Sequence, residues 1–265
     1  KLIFLDDDVP LREAMETNFV SCHTTDDQEN IASDFRKYDL TSMPVVDNED
    51  RLVGIITIDD VVDVIDQENT EDMQKMAAMA PSDEEYLKES VFSLVKQRIG
   101  WLLILMILAT FTGIIIRTYE GVLQSAIVLI SFIPMLMSTG GNAGSQSSMS
   151  ITRGIALEEI ELSDIGMIFW KELRVSVIIG VVLSVVNFLI IYYLSDINFA
   201  VSFAISLSLF ITIIIAKVVG STLPIIAKGL KLDPAIIASP FITTIIDACA
   251  LIVFFLVCTH YLHLA

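Results

Sequence analysis

The sequence predicts an α-helical membrane protein with five transmembrane helices, preceded by a small acidic α+β module and a connecting helix. Two observations predict this class. The chain of 265 residues combines 54% hydrophobic residues with a formal net charge of −17. These properties also separate along the chain, because residues 1–95 hold 24 acids and 7 bases whereas residues 96–265 hold 9 of each. An acidic soluble module therefore precedes an electrically neutral membrane module.

The same composition excludes several classes of protein. The aliphatic content argues against disorder. The chain has no basic patch to release counterions from phosphates, so we expect no nucleic-acid partner. The three cysteines, Cys22, Cys249 and Cys258, make no disulfide framework, and we expect them to be packing residues.

Helix and strand signals alternate through residues 18–66. The patterns predict the order helix, strand, strand, helix, over residues 28–38, 43–47 and 51–57 and from Asp59 onward. The pair Asp26-Asp27 predicts the cap of the first helix. The turn residues Asn48-Glu49-Asp50 predict a tight connection between the two strands. The acidic module is therefore a compact α+β unit.

Carboxylates are dense in the second helix of this module. Seven lie within fourteen residues: Asp59, Asp60, Asp63, Asp66, Glu68, Glu71 and Asp72. A charge run is usually a solvated helix face. Here acids three and four residues apart repel one another, and only Lys75 follows to compensate. Clustered carboxylates also bind hard divalent cations, so the sequence leaves both interpretations open.

The sequence predicts a connecting helix in the region of residues 73–97. Ser82 and Glu85 have the spacing of a capping box, and no helix breaker separates them from the first apolar run. Such a helix would either transmit movement from the acidic module to the membrane or act as a plain linker. The sequence does not distinguish the two.

Residues 98–265 contain five apolar runs that suit a bilayer. They are Ile99–Ile116, Val122–Ser138, Val175–Leu194, Phe199–Ala216, which is open to extension past Lys217, and Pro234–Val257. Lys and Arg concentrate before the first run and in the second and fourth connections, whereas the other side has only Arg117. The positive-inside rule then predicts a cytoplasmic acidic module and a C-terminus outside.

A Gly-rich segment follows the second apolar run. Residues 138–148 lack the Gly-Lys-Ser/Thr of a phosphate-binding loop. Their small side chains suit close helix packing, or a water-filled passage in which backbone carbonyls and Asn142 face an ion. Both interpretations stay open at this point.

Asp247 is the one acid within the fifth run. An ionised carboxylate near the bilayer centre costs about 2.5–3.5 kcal/mol, so the position favours a functional role over a protonated packing residue. Thr243 and Thr244 lie one helical turn before it, and Ser239 and Pro240 lie two turns before it. The spacing predicts a polar stripe in which Pro240 frees the carbonyl of Ile236.

Three motifs together resemble the MgtE family of magnesium transporters and channels. They are the end of a CBS domain, "TIDDVVDVIDQENTEDM", then "PMLMSTGGNAGSQSS", then "LDPAIIASPFITTIIDACALIVF". The resemblance covers essentially the whole chain. It implies a tail of a preceding CBS domain at 1–17, a CBS domain at 18–72, the plug helix region at 73–97 and the transmembrane domain at 98–265. We therefore expect further residues before residue 1.

The resemblance implies a transporter rather than an enzyme. It implies Mg²⁺-selective transport through a homodimeric pore in a bacterial-type inner or plasma membrane, gated by cytosolic Mg²⁺. Asp247 matches the pore carboxylate. Its pore-lining neighbours would be Gly140, Gly141, Asn142, Ser145, Ser239, Pro240, Thr243 and Thr244. Regulatory Mg²⁺ would bind the acids Asp27, Glu29, Asp39, Asp60, Asp63, Glu68, Glu71 and Asp72.

Two departures from the family pattern limit this transfer. Ser145 stands where many relatives have Asn, which puts one polar contact of the pore in question. Family members can bind ATP at an intact pair of CBS domains. This chain carries about half of such a pair, so we expect ATP binding only where the pair is intact.

Two other functions compete with Mg²⁺ transport. Transport of Mn²⁺ or Co²⁺ under CBS control would use the same carboxylates. An intramembrane aspartyl protease would need two membrane carboxylates that share a proton, whereas the predicted spans contain only Asp247. His260 and His263 lie near the end of the chain and predict no zinc site within the membrane.

Overall fold

A computed structural model describes residues 10, 15, 19–82, 84–236 and 239–264. The predicted tail of a preceding CBS domain, 1–17, therefore lies almost entirely outside the described residues. The chain divides into two compact units, Lys1–Thr70 and Glu71–Ala265. Each unit is described by itself.

The first unit is a three-stranded sheet with helices. Its elements are β1 (Cys22–His23), α1 (Gln28–Lys37), β2 (Ser42–Val46), β3 (Leu52–Thr57) and the greater part of α2 (Ile58–Met76). β2 lies in the centre, parallel to β1 and antiparallel to β3. Met43, Phe35 and Val61 are buried and join the sheet to both helices. The predicted order of helix, strand, strand and helix is confirmed.

Local hydrogen bonds explain the boundaries in this unit. The Asp27 side chain accepts a hydrogen bond of 3.2 Å from the Glu29 amide and so caps α1, as predicted. In the turn between the strands, the Asp47 carboxylate accepts hydrogen bonds of 2.9 and 3.0 Å from the amides of Glu49 and Arg51. These bonds lower the pKa of Asp47.

The predicted start of the connecting helix at Ser82 is wrong. Gln74 fixes Ser82 in a non-helical segment, because its side chain accepts a 2.7 Å bond from the Ser82 amide and donates to the Ser82 carbonyl. The helix α3 (Val91–Thr118) begins only after Ser90, whose hydroxyl accepts a hydrogen bond from the Ser93 amide. From there it continues into the first span without a break, as predicted.

Five helices of the described residues are long and apolar enough to cross a membrane, which confirms the predicted number. Their bounds are Val91–Thr118, Ile127–Ala156, Leu162–Leu194, Phe199–Gly229 and Ser239–Leu262. The last four contain the α-helices α5 (Ile133–Ala156), α6 (Ile165–Leu194), α7 (Phe199–Gly229) and α8 (Ser239–Leu262), and α4 (Glu120–Ser125) is a short helix before them.

The second and third spans differ from their predicted bounds. The Gly-rich segment 138–148 lies inside the regular helix α5, so the second span ends at Ala156 and not at Ser138. The third span starts thirteen residues earlier than predicted, because its charged first turns belong to the same helix. Glu172 therefore lies within a spanning helix.

Small residues explain why a Gly-rich segment is helical here. A Cβ added at Gly220 of α7 would overlap the backbone of Gly144 in α5. A Cβ at Gly140 would lie 2.8 Å from Cγ2 of Thr212, again in α7. Close backbone packing of this kind drives helix association in membranes. The close-packing interpretation of Gly140 and Gly144 thus accounts for their positions.

Aromatic side chains mark the two ends of α6. Trp170 lies near its start with the Arg174 guanidinium 5.9 Å from the ring, and Tyr192 and Tyr193 pack edge to face near its end. At 1.5 Å per residue, about 33 Å separates Trp170 from Tyr192. That length matches a hydrocarbon core of about 30 Å with aromatic belts at both interfaces.

Gly220→Ala tests the contact between α5 and α7. The added methyl group has no space, so we expect a loss of about 1–3 kcal/mol in the free energy of unfolding. Gly113→Ala in α3 is the matched control, because nothing lies within 4 Å of a Cβ there. Thermal unfolding in detergent measures both variants. Equal stability of the two would contradict the close contact.

Candidate functional site

Asp247 lies in the third turn of α8 and is half-buried. Across the described residues, no hydrogen bond or ion pair involves its carboxylate. Polar groups inside a membrane protein are normally paired, because desolvation without a partner costs several kcal/mol for a charge. An unpaired carboxylate within a span is therefore unusual.

Gly141 of α5 lies directly beside this carboxylate. A Cβ at Gly141 would lie 3.9 Å from Oδ1 of Asp247 and 3.2 Å from Cγ2 of Thr243. Because Gly141 has no side chain, the α5 backbone approaches the face of α8 that carries Thr243 and Asp247. The structure thus brings together three of the residues that the sequence predicts for the site.

A second contact joins the two helices two turns before Asp247, at the start of α8. The Ser239 hydroxyl donates a 2.9 Å hydrogen bond to Oγ of Ser145. The hydroxyl groups of Thr243 and Thr244 both donate to the carbonyl of Pro240 at 2.9 Å, within their own helix. The polar stripe therefore exists, but its threonine hydroxyls are already paired.

The role predicted for Pro240 stays a prediction. The described part of α8 starts at Ser239, and residues 237 and 238 before it lie outside the described residues. Proline is well tolerated in the first turn of a helix, where the backbone nitrogen has no helical partner.

The other two predicted pore residues lie in different surroundings. Asn142 is exposed on α5, next to Gly141. Gly140 is buried, and a Cβ there would lie 3.1 Å from Cγ2 of Ile246 as well as close to Thr212. Gly140 is therefore a packing position between α5, α7 and α8.

A buried polar cluster in the membrane was not predicted from the sequence. The Lys217 ammonium in α7 donates a 3.1 Å hydrogen bond to Oγ of Ser147 in α5, and the Ser147 hydroxyl donates a 2.7 Å bond to Oε2 of Glu172 in α6. Nζ of Lys217 lies 3.9 Å from the same Glu172 oxygen. One signal in the sequence could have pointed to this cluster. Apolar residues continue after both Lys217 and Glu172, which indicates that each charge lies inside a helix that goes on beyond it.

Two of the predicted regulatory acids on α2 have partners within the first unit. Asp60 accepts hydrogen bonds from the amide and hydroxyl of Thr57, and Glu68 accepts a 2.7 Å bond from Nε2 of Gln28. Asp39 and Asp63 are exposed. Within the described part of the chain, no three His, Cys, Asp or Glu side chains form a group that could hold a metal ion. Metal binding by these acids stays a prediction.

Lys75 joins the end of α2 to the segment that precedes α8. Its ammonium lies 2.5 Å from Oε1 of Glu71 and 2.7 Å from Oδ2 of Asp233. Burial by itself would lower the pKa of Lys75, but the two carboxylates raise it above its ordinary value. The lysine therefore stays charged at neutral pH and ties these segments together.

Comparison with known proteins gives two family matches. The MgtE model, described as a divalent cation transporter, matches residues 133–257, and the CBS domain model matches residues 3–67. The first match contains the candidate site on α5 and α8. The second contains the sheet of the first unit.

Three curated relatives are named magnesium transporter MgtE. Those of Thermus thermophilus, Bacillus subtilis and Enterococcus faecalis are 35%, 34% and 31% identical to this chain over 96%, 99% and 96% of its length. The alignments cover 56%, 57% and 55% of those proteins, so this chain spans little more than half of their length. The match of the MgtE model and the three relatives, which align with nearly the whole chain, show that this chain belongs to the MgtE family.

Proposed function

We propose that the protein moves Mg²⁺ across the membrane along a pathway lined by α5 and α8, with Asp247 as its ion-binding carboxylate. The observation that carries this proposal is the half-buried Asp247 carboxylate, which has no protein partner among the described residues and faces a glycine. The names of the relatives, all magnesium transporters, support Mg²⁺ as the ion.

The chemistry of Mg²⁺ suits a sparse site of this kind. Mg²⁺ loses water reluctantly and usually keeps several water ligands while it binds one or two carboxylates. Asp247 is only half-buried, and the amide of the exposed Asn142, next to Gly141, can donate hydrogen bonds to such waters and accept hydrogen bonds from them. A dry cage of protein ligands would demand a dehydration that Mg²⁺ resists.

A homodimer would complete the site. One Asp247 supplies a single negative charge, whereas two related by a two-fold axis would supply two and match a divalent ion. The exposure of Asn142 supports this arrangement, because it leaves one side of the α5 and α8 pair accessible to a second copy. The pathway would then follow the two-fold axis.

We further propose that cytosolic Mg²⁺ closes the pathway through the acids of the CBS domain and the connecting segment. Two unit charges 4 Å apart interact by about 1 kcal/mol in water and about 4 kcal/mol at an effective dielectric constant of 20. A few bridged pairs would supply the roughly 5.5 kcal/mol that reverses a two-state equilibrium. Lys75 supports the coupling, since it bonds both Glu71 and Asp233, fourteen residues before Asp247.

An intramembrane protease fits the site less well. Glu172 is a second carboxylate within a span, which corrects the prediction that Asp247 is alone there. However, Glu172 accepts a hydrogen bond from Ser147 and lies beside Lys217, so its charge is already compensated. Two acids that share a proton would have to contact each other. The relatives are also transporters by name.

Asp247→Asn tests the pathway. We expect the initial rate of Mg²⁺ uptake into proteoliposomes to fall at least about tenfold, because loss of a charge-assisted ion ligand costs more than 1.4 kcal/mol. Asp196→Asn, at an exposed acid between α6 and α7, is the control and should transport normally. Undiminished uptake by Asp247→Asn would remove the pore assignment. Competition by Mn²⁺ and Co²⁺ in the same assay decides between these ions and Mg²⁺.

Neutralising four of the regulatory acids tests the proposed closure. Substitution of Asp60, Asp63, Glu68 and Glu71 by Asn or Gln should leave transport active at high cytosolic Mg²⁺, because the ion then has fewer carboxylates to bridge. Glu84→Gln with Glu85→Gln is the control, since both acids lie outside the set. Patch-clamp recording of the full chain at graded Mg²⁺ measures the effect. Unchanged inhibition would contradict the sensor role.

Lys75→Gln tests the link between α2 and the segment before α8. Without the ammonium, Glu71 and Asp233 repel each other, so we expect more transport at low cytosolic Mg²⁺ and a steeper inhibition as Mg²⁺ rises. Lys88→Gln is matched to it, because Lys88 forms only an exposed ion pair with Glu85. The same recordings apply. Identical Mg²⁺ dependence of the two variants would refute a role for the link.

A further inference from the structure

The segment between α2 and α3 is hydrogen-bonded to both helices. Gln74, in the last turn of α2, accepts a 2.7 Å hydrogen bond from the Ser82 amide and donates a 3.1 Å bond to the Ser82 carbonyl. The Ala80 amide donates a 2.9 Å bond to the carbonyl of Gln97 in α3. All of these contacts lie within the second unit, which begins at Glu71. Residues 80–82 therefore form a bridge segment that bonds both to the end of α2 and to α3.

Glu89 joins the side chains of this bridge segment to α3. Its Oε1 accepts hydrogen bonds from the Ser82 hydroxyl at 3.2 Å, from the Ser93 hydroxyl at 2.8 Å and from Nε2 of Gln97. Ser82 belongs to the bridge segment, whereas Ser93 and Gln97 lie in the first two turns of α3. Glu89 is half-buried, although residues 84–88 are all exposed. Because hydrogen bonds to a charged group are about twice as strong as neutral ones, this carboxylate ties the two parts together firmly.

Packing within the chain holds α3 less firmly than the other spans. None of its 28 residues is buried, whereas the helices of the other four spans all contain buried residues. Its contacts with the main buried core of the membrane unit come from Ile115 and Ile116, near its end. Tyr119, directly after it, stacks on Phe255 of α8 with the ring centroids 4.6 Å apart. The bonds to Glu89 are therefore the main polar attachment at the start of α3.

We propose that Glu89 is a positioning residue that makes the start of α3 follow the end of α2. Most of the proposed regulatory acids lie on α2: Asp60, Asp63, Glu68, Glu71 and Asp72. α3 in turn packs against α8, which carries Asp247. A movement of α2 would thus reach the ion pathway through the first span. The inference rests on the proposed closure by Mg²⁺ for its functional meaning, but the attachment itself can be measured without Mg²⁺.

The bridge segment distinguishes this connection from a plain linker. An unstructured chain over residues 77–90 would have a root-mean-square length of about 20 Å and would absorb small movements of α2. The hydrogen bonds of the bridge segment and Glu89 remove this slack. Lys75, the neighbour of Gln74, bonds Asp233 before α8. One turn of α2 therefore holds both the first span and the approach to the last.

Amide hydrogen exchange of the full chain tests the attachment in the absence of Mg²⁺. In Glu89→Ala, we expect the amides of Ala80 and Ser82 to exchange at least about tenfold faster, because one hydrogen bond to a charged group is worth that factor or more. Glu89→Gln keeps an oxygen acceptor and should restore most of the protection. Glu84→Ala, at an exposed acid of the same segment, is the matched control and should change nothing. Unchanged exchange in Glu89→Ala would overturn the proposal.

Addition of Mg²⁺ separates positioning from a purely structural role. In the unaltered chain, we expect Mg²⁺ to slow the exchange of residues 71–76 and of residues 91–98 together. In Glu89→Ala, the effect on residues 91–98 should fall at least about tenfold, by the same loss of hydrogen bonding, while the effect on residues 71–76 remains. An equal effect of Mg²⁺ on residues 91–98 in both proteins would contradict the proposal.

Mg²⁺ uptake into proteoliposomes measures the consequence for regulation. Relative to its own uptake at low Mg²⁺, Glu89→Ala should need a higher Mg²⁺ concentration for half-inhibition, because the closing movement no longer reaches α3. Glu89→Gln should return toward the unaltered value, and an unchanged concentration in Glu89→Ala would contradict the coupling. If Mg²⁺ affected neither residues 71–76 nor 91–98 of the unaltered chain, the proposed closure would be refuted. The exchange at Ala80 and Ser82 would still decide whether Glu89 joins the two helices.

Discussion

The close approach of the α5 and α7 backbones is the constraint on which the membrane unit depends. The contact between Gly144 and Gly220 leaves no room for a methyl group, and Ile246 of α8 packs against the same glycine face. Because the three helices meet at this distance, Gly141 lies beside Asp247 and the Ser147 hydroxyl reaches both Lys217 and Glu172. The site and the buried cluster are both consequences of the small residues.

Several polar groups around Asp247 are paired, whereas its own carboxylate has no partner among the described residues. The threonine hydroxyls of α8 donate to a carbonyl of their own helix, and the charges of Glu172 and Lys217 compensate each other across Ser147. Inside an apolar environment such pairing is the rule. In the proposed mechanism, Mg²⁺ supplies the partner that the half-buried Asp247 carboxylate lacks in the described chain.

The sequence predicts which helices and strands exist better than it predicts the residues at which they begin and end. Hydropathy determines the number of spans, and turn chemistry determines the strands of the first unit, because both signals are local. Two errors have a common cause in tertiary contacts. Gln74 holds Ser82 out of a helix that its capping pattern favours, and packing against Gly220 holds a Gly-rich segment in a helix that its composition disfavours. The partners of Glu172 and Lys217 are far apart in sequence, so no local pattern shows them.

The two ion pairs of Lys75 bear on the Mg²⁺ concentration to which the protein would respond. Its ammonium is covalently tethered beside Glu71 and Asp233, so its effective concentration there is of the order of millimolar or higher. In the proposed mechanism, a free divalent ion must compete with this tethered cation for the same two carboxylates. The strength of one lysine's salt bridges would then help to set the ion concentration at which the protein begins to respond.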